Sequence, residues 1–288
     1  MMFLLIVLSG ALSGALFAAD GEIPAPQKFR WQDLLPRGFQ SEPQINLNVI
    51  TEMTKEGKKR SADVSVDHPA YYIGRDGGFV EEGDAVAGER LPNVKRLSKT
   101  LQGALASAGY LGADPQHPPS IYIVYQWGSF NGYHNPLGPE ATVDAIEWKN
   151  IISRVAVVGG SQFAVDYVRA VSAGTLDAFR FRGQANDGLL NDAFGDLYFL
   201  SASAYDMEAS KKGEWKILWK TTISTNSQGV AMDETLPALV VNSAQYFGHE
   251  MRGPAQLSAR INKGSVEIGT ATVKGYEDPS KLTSGPKP

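Results

Sequence analysis

The chain has 288 residues, 43% of them apolar and 20% charged, which is ordinary for a globular protein with a sizeable core and unlike a disordered one. A net charge of -4 and a pI near 5.6 deny it the Lys and Arg excess that a DNA or RNA surface needs. Cysteine is absent, which excludes thiol catalysis, thiolate metal sites, disulfide staples and the modified cysteine of a bacterial lipoprotein.

Residues 1–19 carry no charged side chain and end in Ala18-Ala19 before Asp20. The apolar run is shorter than the ~20 residues that comfortably span a bilayer, so it reads as a secretory signal peptide, with a retained N-terminal anchor as the other option. An exported, cysteine-free chain points to the bacterial periplasm or the extracellular space. Residues 20–44 hold Pro24, Pro26, Pro36 and Pro43 and read as an extended arm. Phe29, Trp31, Leu34, Leu35 and Phe39 are expected to dock it. A single domain is expected over residues 45–276, followed by a polar, Pro-containing tail over 277–288.

Within the domain, Ile45, Leu47 and Val49 alternate with asparagines as in a half-buried strand. Lys55 to Arg60 reads as a basic turn and 62–66 as a returning strand. Residues 71–80, with Asp76-Gly77-Gly78 at the centre, read as a hairpin. Val94, Leu97, Leu101, Leu105 and Ala108 form one helical stripe, closed by Gly109. Residues 121–125 read as a buried central strand, and a long loop is expected to follow. Two helices meet at Gly159-Gly160, with Ser161 as cap of the second, and short helical pieces are expected over 175–196. Leu197 to Asp206 is a strand, joined by a charged turn to a second strand with Trp215, Ile217, Trp219, Thr221 and Ile223 at alternate positions. A helix over 233–248 has Leu236, Leu239, Val240, Ser243 and Phe247 on its inner side; edge strands are expected over 256–260 and 266–273. The class is therefore α+β: a largely antiparallel sheet with helices packed mainly on one face.

The four histidines, His68, His117, His134 and His249, share no spacing that would set two on one face, so no metal site is expected. No cofactor motif is present either; Gly159-Gly160-Ser161 joins helix to helix, and no further phosphate-loop glycines follow. Gly-x-Ser-x-Gly is missing from the mature chain. Carboxylates that could pair across a cleft include Asp67, Asp76, Glu81, Glu82 and Asp84, and also Asp187, Asp192 and Asp196, a spelling of low specificity among 31 acidic residues. The stretch 125–136 combines four aromatics, a histidine and two asparagines beyond the carboxyl end of the central strand, where open α/β sheets place ligands. Trp127, Phe130, Asn131, Tyr133 and His134 are the candidate contacts, against the plainer reading of a loop folded over the core by its own rings.

The helix ending Ala106-Ser107-Ala108-Gly109-Tyr110, the strand over 120–125, and the closing hairpin with Asp206 before the turn and Trp219 after it resemble bacterial cell-envelope, lipoprotein-associated domains of unknown function. The resemblance implies a mixed α/β envelope domain and carries over no catalytic residue. The chain departs from that pattern in lacking the lipoprotein cysteine and in an insertion over 126–196. The expected function is thus an exported envelope component that binds a partner protein or a glycan and is not an enzyme. It would need no cofactor, bind no nucleic acid and keep no membrane span after signal removal. The alternative is an envelope polysaccharide hydrolase using paired carboxylates.

Overall fold

A computed structural model describes residues 34–83, 89–131, 145–174, 177 and 181–261. The segment over 1–19 read as a signal peptide, the tail expected over 277–288 and the edge strand expected over 266–273 lie outside these residues.

The chain forms β1 (Gln44–Met53), α1 (Lys55–Ser61), β2 (Ala70–Glu82), α2 (Val94–Ser107), β3 (Tyr110–Gly112), β4 (Ile121–Phe130), α3 (Ala145–Gly159), α4 (Ser161–Ala173), α5 (Gln184–Phe194), β5 (Leu197–Asp206), α6 (Met207–Lys211), β6 (Ile217–Asn226), α7 (Met232–Asn242) and β7 (Ala255–Arg260). All seven strands join one sheet in the order β3-β2-β4-β5-β6-β1-β7. The pairs β4–β5, β5–β6, β6–β1 and β1–β7 are antiparallel, whereas β2 runs parallel to both β3 and β4. The α+β class and the largely antiparallel sheet are as expected.

The helices do not gather mainly on one face. In β5 the side chains alternate between two separate cores: Tyr198, Leu200, Ala202 and Ala204 enter one, Leu197 and Phe199 the other. The first core takes Leu97, Leu101 and Leu105 of α2 and Leu236, Leu239 and Val240 of α7. Together with Ser243 and Phe247, the expected inner stripe of the last helix is fully buried. The second core takes Ile151, Val155 and Val158 of α3, Ala164 and Tyr167 of α4, and Leu189 and Leu190 of α5. A strand apolar on both sides needs cover on both sides, and the inserted helices supply the second layer.

Several local expectations change for physical reasons. The segment around Asp76-Gly77-Gly78 does not reverse the chain: β2 runs through it with a bulge between Asp76 and Phe79. Gly78 supplies φ 93°, and its N–H is taken by the Asp76 carboxylate at 2.8 Å. Lys55 to Ser61 is a helix rather than a turn, because Thr54 accepts the Gly57 N–H (3.0 Å) as N-cap. Residues 62–66 form turns and bends, with no strand. The charged turn after β5 contains the short helix α6, capped by Asp206 on the Ala209 N–H. Ser161 opens α4, yet its own side chain does not cap the helix: Glu52 of β1 accepts both its N–H (2.8 Å) and its hydroxyl. In the described part of the N-terminal arm, Leu34, Leu35 and Phe39 are exposed rather than docked, whereas Gln40 and Pro43 are buried, the Gln40 amide closing the turn on the Leu35 carbonyl at 2.6 Å.

Candidate functional site

The aromatic segment predicted as a loop is strand as far as Phe130, in unbroken register with β5 from Ile121↔Asp206 to Phe130↔Leu197. Gly128 permits this: a Cβ there would lie 1.7 Å from the Val80 carbonyl oxygen, so the glycine serves close backbone approach and not a turn. Trp127 is 3% exposed and packs on Phe79 (ring centroids 5.2 Å apart) in the first core. Phe130 points the other way, stacked on Phe199 at 4.8 Å in the second core. Asn131 is buried; its N–H donates to the Glu82 carbonyl at 2.8 Å. These three side chains pack the interior on two faces and share no surface. Tyr133 and His134 lie outside the described residues.

Beside Phe130 stands a residue that the sequence reading did not single out. Arg154 of α3 is buried and donates to the carbonyls of Ala193 (2.8 Å), Asn131 (3.0 Å) and Gly195, with its guanidinium 5.7 Å from the Phe130 ring centroid. It ties the C-terminal carbonyls of α5 to the end of β4, a placement that suits a cation. Its role is structural.

The carboxylates divide between structural tasks and one end of the sheet. Asp76 holds the β2 bulge, Asp192 accepts from the Asn48 amide at 2.8 Å, and Asp187 lies 3.6 Å from Arg182. Asp84 lies outside the described residues. Burial raises the Glu82 carboxyl above its ordinary range, against the opposing pull of Lys149 and Arg154. At the end where β2 and β4 finish and β5 begins, Tyr198 donates to the Val230 carbonyl (3.3 Å) and neighbours Glu89, Asp233 and Asp196. Burial first, then these carboxylates, push its phenol well above the ordinary tyrosine range. Burial also raises Glu89. Asp233 and Glu234 pair with Arg90. Among the described residues no group of three or more His, Asp or Glu could hold a metal ion. His117 is instead bonded to Asp114 at 3.0 Å.

Two further features stand out among the described residues, a concavity and an uncovered stretch of sheet. One, of about 250 Å³ counting space open to solvent, lies between α2 and the β2–β4 pair, lined by Tyr72, Ser98, Leu101, Gln102, Ile123 and Tyr125, where Gly74 contributes no side chain. Its lining includes three hydroxyl-bearing side chains and one amide, but no charged group.

The other is a step on the opposite face of the sheet. Helices α3, α4 and α5 cover that face around Phe130, Leu197 and Phe199. Further down the strands, Ile73, Tyr122, Tyr205 and Ile217 are consecutive cross-strand neighbours. Among the described residues no helix covers them. Trp215 leans over this row, 5.8 Å from the Tyr122 ring and 5.4 Å, edge-on, from the Tyr205 ring, and is 62% exposed. Alongside, His117 stacks on Tyr71 at 4.4 Å. Isolated exposed apolar residues are ordinary; contiguous rings on an uncovered sheet floor are not. The period-two pattern of 215–223 set Trp215, Ile217, Trp219 and Ile223 on one side of the strand, but a register shift opposite Ala204 and Tyr205 breaks it: Trp219 and Ile223 are buried in the first core, while Trp215 and Ile217 stay exposed.

No protein-family model matches the chain, and no curated protein matches it. Among solved structures it is similar to a PDZ domain protein from Parabacteroides distasonis, with 11% identity and a TM-score of 0.34, over 75% of this chain and 39% of that one. This chain therefore spans well under half of that protein's length, and a likeness so shallow carries no functional argument. No helix among the described residues is long and apolar enough to cross a membrane.

Proposed function

We propose that the protein is an exported, non-enzymatic binding component of the bacterial cell envelope that engages its ligand on the uncovered half of the sheet. The observation that carries this reading is the ring cluster of Tyr122, Tyr205 and Trp215, which leaves Trp215 largely in solvent on a face whose other half is roofed by three helices. Such rings, apolar in body and polar at one edge, suit a surface that is wet when free and covered when bound. Export is supported by the uncharged apolar opening over residues 1–19 and by the absence of cysteine. The envelope setting is supported by the sequence resemblance to lipoprotein-associated domains.

The test is co-sedimentation with bacterial envelope material, peptidoglycan sacculi and outer-membrane polysaccharide taken separately, comparing the wild type with the triple variant Tyr122→Ala, Tyr205→Ala, Trp215→Ala. The wild type should pellet with one of these fractions and the folded triple variant should stay in the supernatant. Equal pelleting of the two proteins, or no pelleting of either, refutes the site. Release of reducing sugar ends by the wild type, abolished in Glu89→Gln or Glu82→Gln, would replace binding with the hydrolase alternative.

A further inference from the structure

Resting on the binding reading above, we infer that the ligand of the open sheet face is an acidic polysaccharide chain. The floor carries two parallel rows. The first is the apolar row Ile73, Tyr122, Tyr205 and Ile217 with Trp215 above it. The second, two residues along β2, β4 and β5 and three along β6, where the register with β5 shifts, is Arg75, Val124, Ser203 and Lys220, again consecutive cross-strand neighbours. Two residues of strand place the rows about 7 Å apart, and three strand spacings separate the two cations by about 14 Å.

Neither Arg75 nor Lys220 has an ion-pair or hydrogen-bond partner among the described residues, although the chain as a whole is acidic. The carboxylates that could neutralise them are turned elsewhere. Glu52, the cross-strand neighbour of Lys220, accepts from Ser161, and Asp76, next to Arg75, accepts from Gly78. Two cations beside an aromatic row, without an acidic partner among the described residues, attract an anion with a flat apolar face. The ring plane of a uronic acid has such a face in its axial C–H bonds, while its carboxylate is held at the edge. Ser203 and exposed Gln126, one step further up β4, offer a hydroxyl and an amide to sugar hydroxyls. A peptide would be gripped through side-chain pockets or a sheet edge, and the pocket described above opens on the opposite face. Single-stranded nucleic acid also stacks on rings, but it calls for a cationic groove along its backbone rather than two isolated charges.

The experiment titrates the full chain with four probes: an oligogalacturonate, the same oligosaccharide fully methyl-esterified, poly-L-glutamate and oligothymidylate. The oligogalacturonate should bind, more weakly as salt is raised, and at least tenfold tighter than its ester. The double variant Arg75→Gln, Lys220→Gln, with unchanged circular dichroism, should bind the acid no better than the ester, while Trp215→Ala should weaken both. Equal affinity for acid and ester overturns the acidic ligand and leaves the binding face standing. Preference for poly-L-glutamate or oligothymidylate overturns the polysaccharide. Failure to bind any probe, in a protein that still pellets with envelope material through Trp215, also overturns the inference and spares the reading beneath it. Binding that Trp215→Ala does not alter overturns both.

Discussion

Arg154 gives the sharpest test of how the second helical layer is held. Replacing it by methionine keeps an apolar stem of similar length and removes every donor. The carbonyls of Ala193, Asn131 and Gly195 then lose a charge-assisted partner in a site where the arginine is only 3% exposed. An orphaned buried carbonyl costs about 1–3 kcal/mol, and partial access of water to the Gly195 end lowers the sum, so Arg154→Met should lose about 3–5 kcal/mol. Arg154→Lys retains the charge but cannot present three N–H groups in a fixed fork, and should lose about 2–3 kcal/mol. Urea denaturation measures both. Hydrogen exchange should locate the damage, with amides of α5 and the start of β5 losing protection before those of α2 and α7. If Arg154→Lys matches the wild type, a point charge suffices and the fork geometry is irrelevant. If Arg154→Met costs under 1 kcal/mol, the three bonds do not hold this layer at all.

Trp219, fully buried and packed on Tyr110 at 5.2 Å, should cost about 3–5 kcal/mol on truncation to alanine. Trp215→Ala should change stability by no more than about 0.5 kcal/mol, and comparable urea midpoints for the two variants would contradict the assignment of strand faces. Because the phenol of Tyr198 is held above its ordinary range, the folded protein keeps a proton there that the unfolded chain releases above about pH 10. Its contribution to stability is therefore complete below that pH and declines as pH rises further. Tyr198→Phe should flatten the alkaline loss measured by denaturation, and an unchanged slope would show that this group is not linked to folding.

Most of the first core was legible in the amino-acid order. The stripe of α2, the alternation in β1 and the inner residues of α7 are local patterns, and burial follows local pattern whenever a helix or strand has one apolar side; in β6 the alternation holds only from Trp219 onward, past the register shift. The absence of disulfides and the α+β class follow from the same amino-acid order.

What the order of residues left undecided was relative placement. Asp76-Gly77-Gly78 spells a turn, yet pairing with β4 on one side makes it a bulge inside a long strand. Trp127 and Phe130 look like a binding loop, yet strand pairing sends them into opposite cores. Tyr122, Tyr205 and Trp215 are far apart in the chain and meet only because β4 and β5 are neighbours in antiparallel register, beyond the reach of the helices above. Periodicity states that a side chain faces left or right of its own strand. Only the packed tertiary structure decides which neighbour stands there, or whether water does.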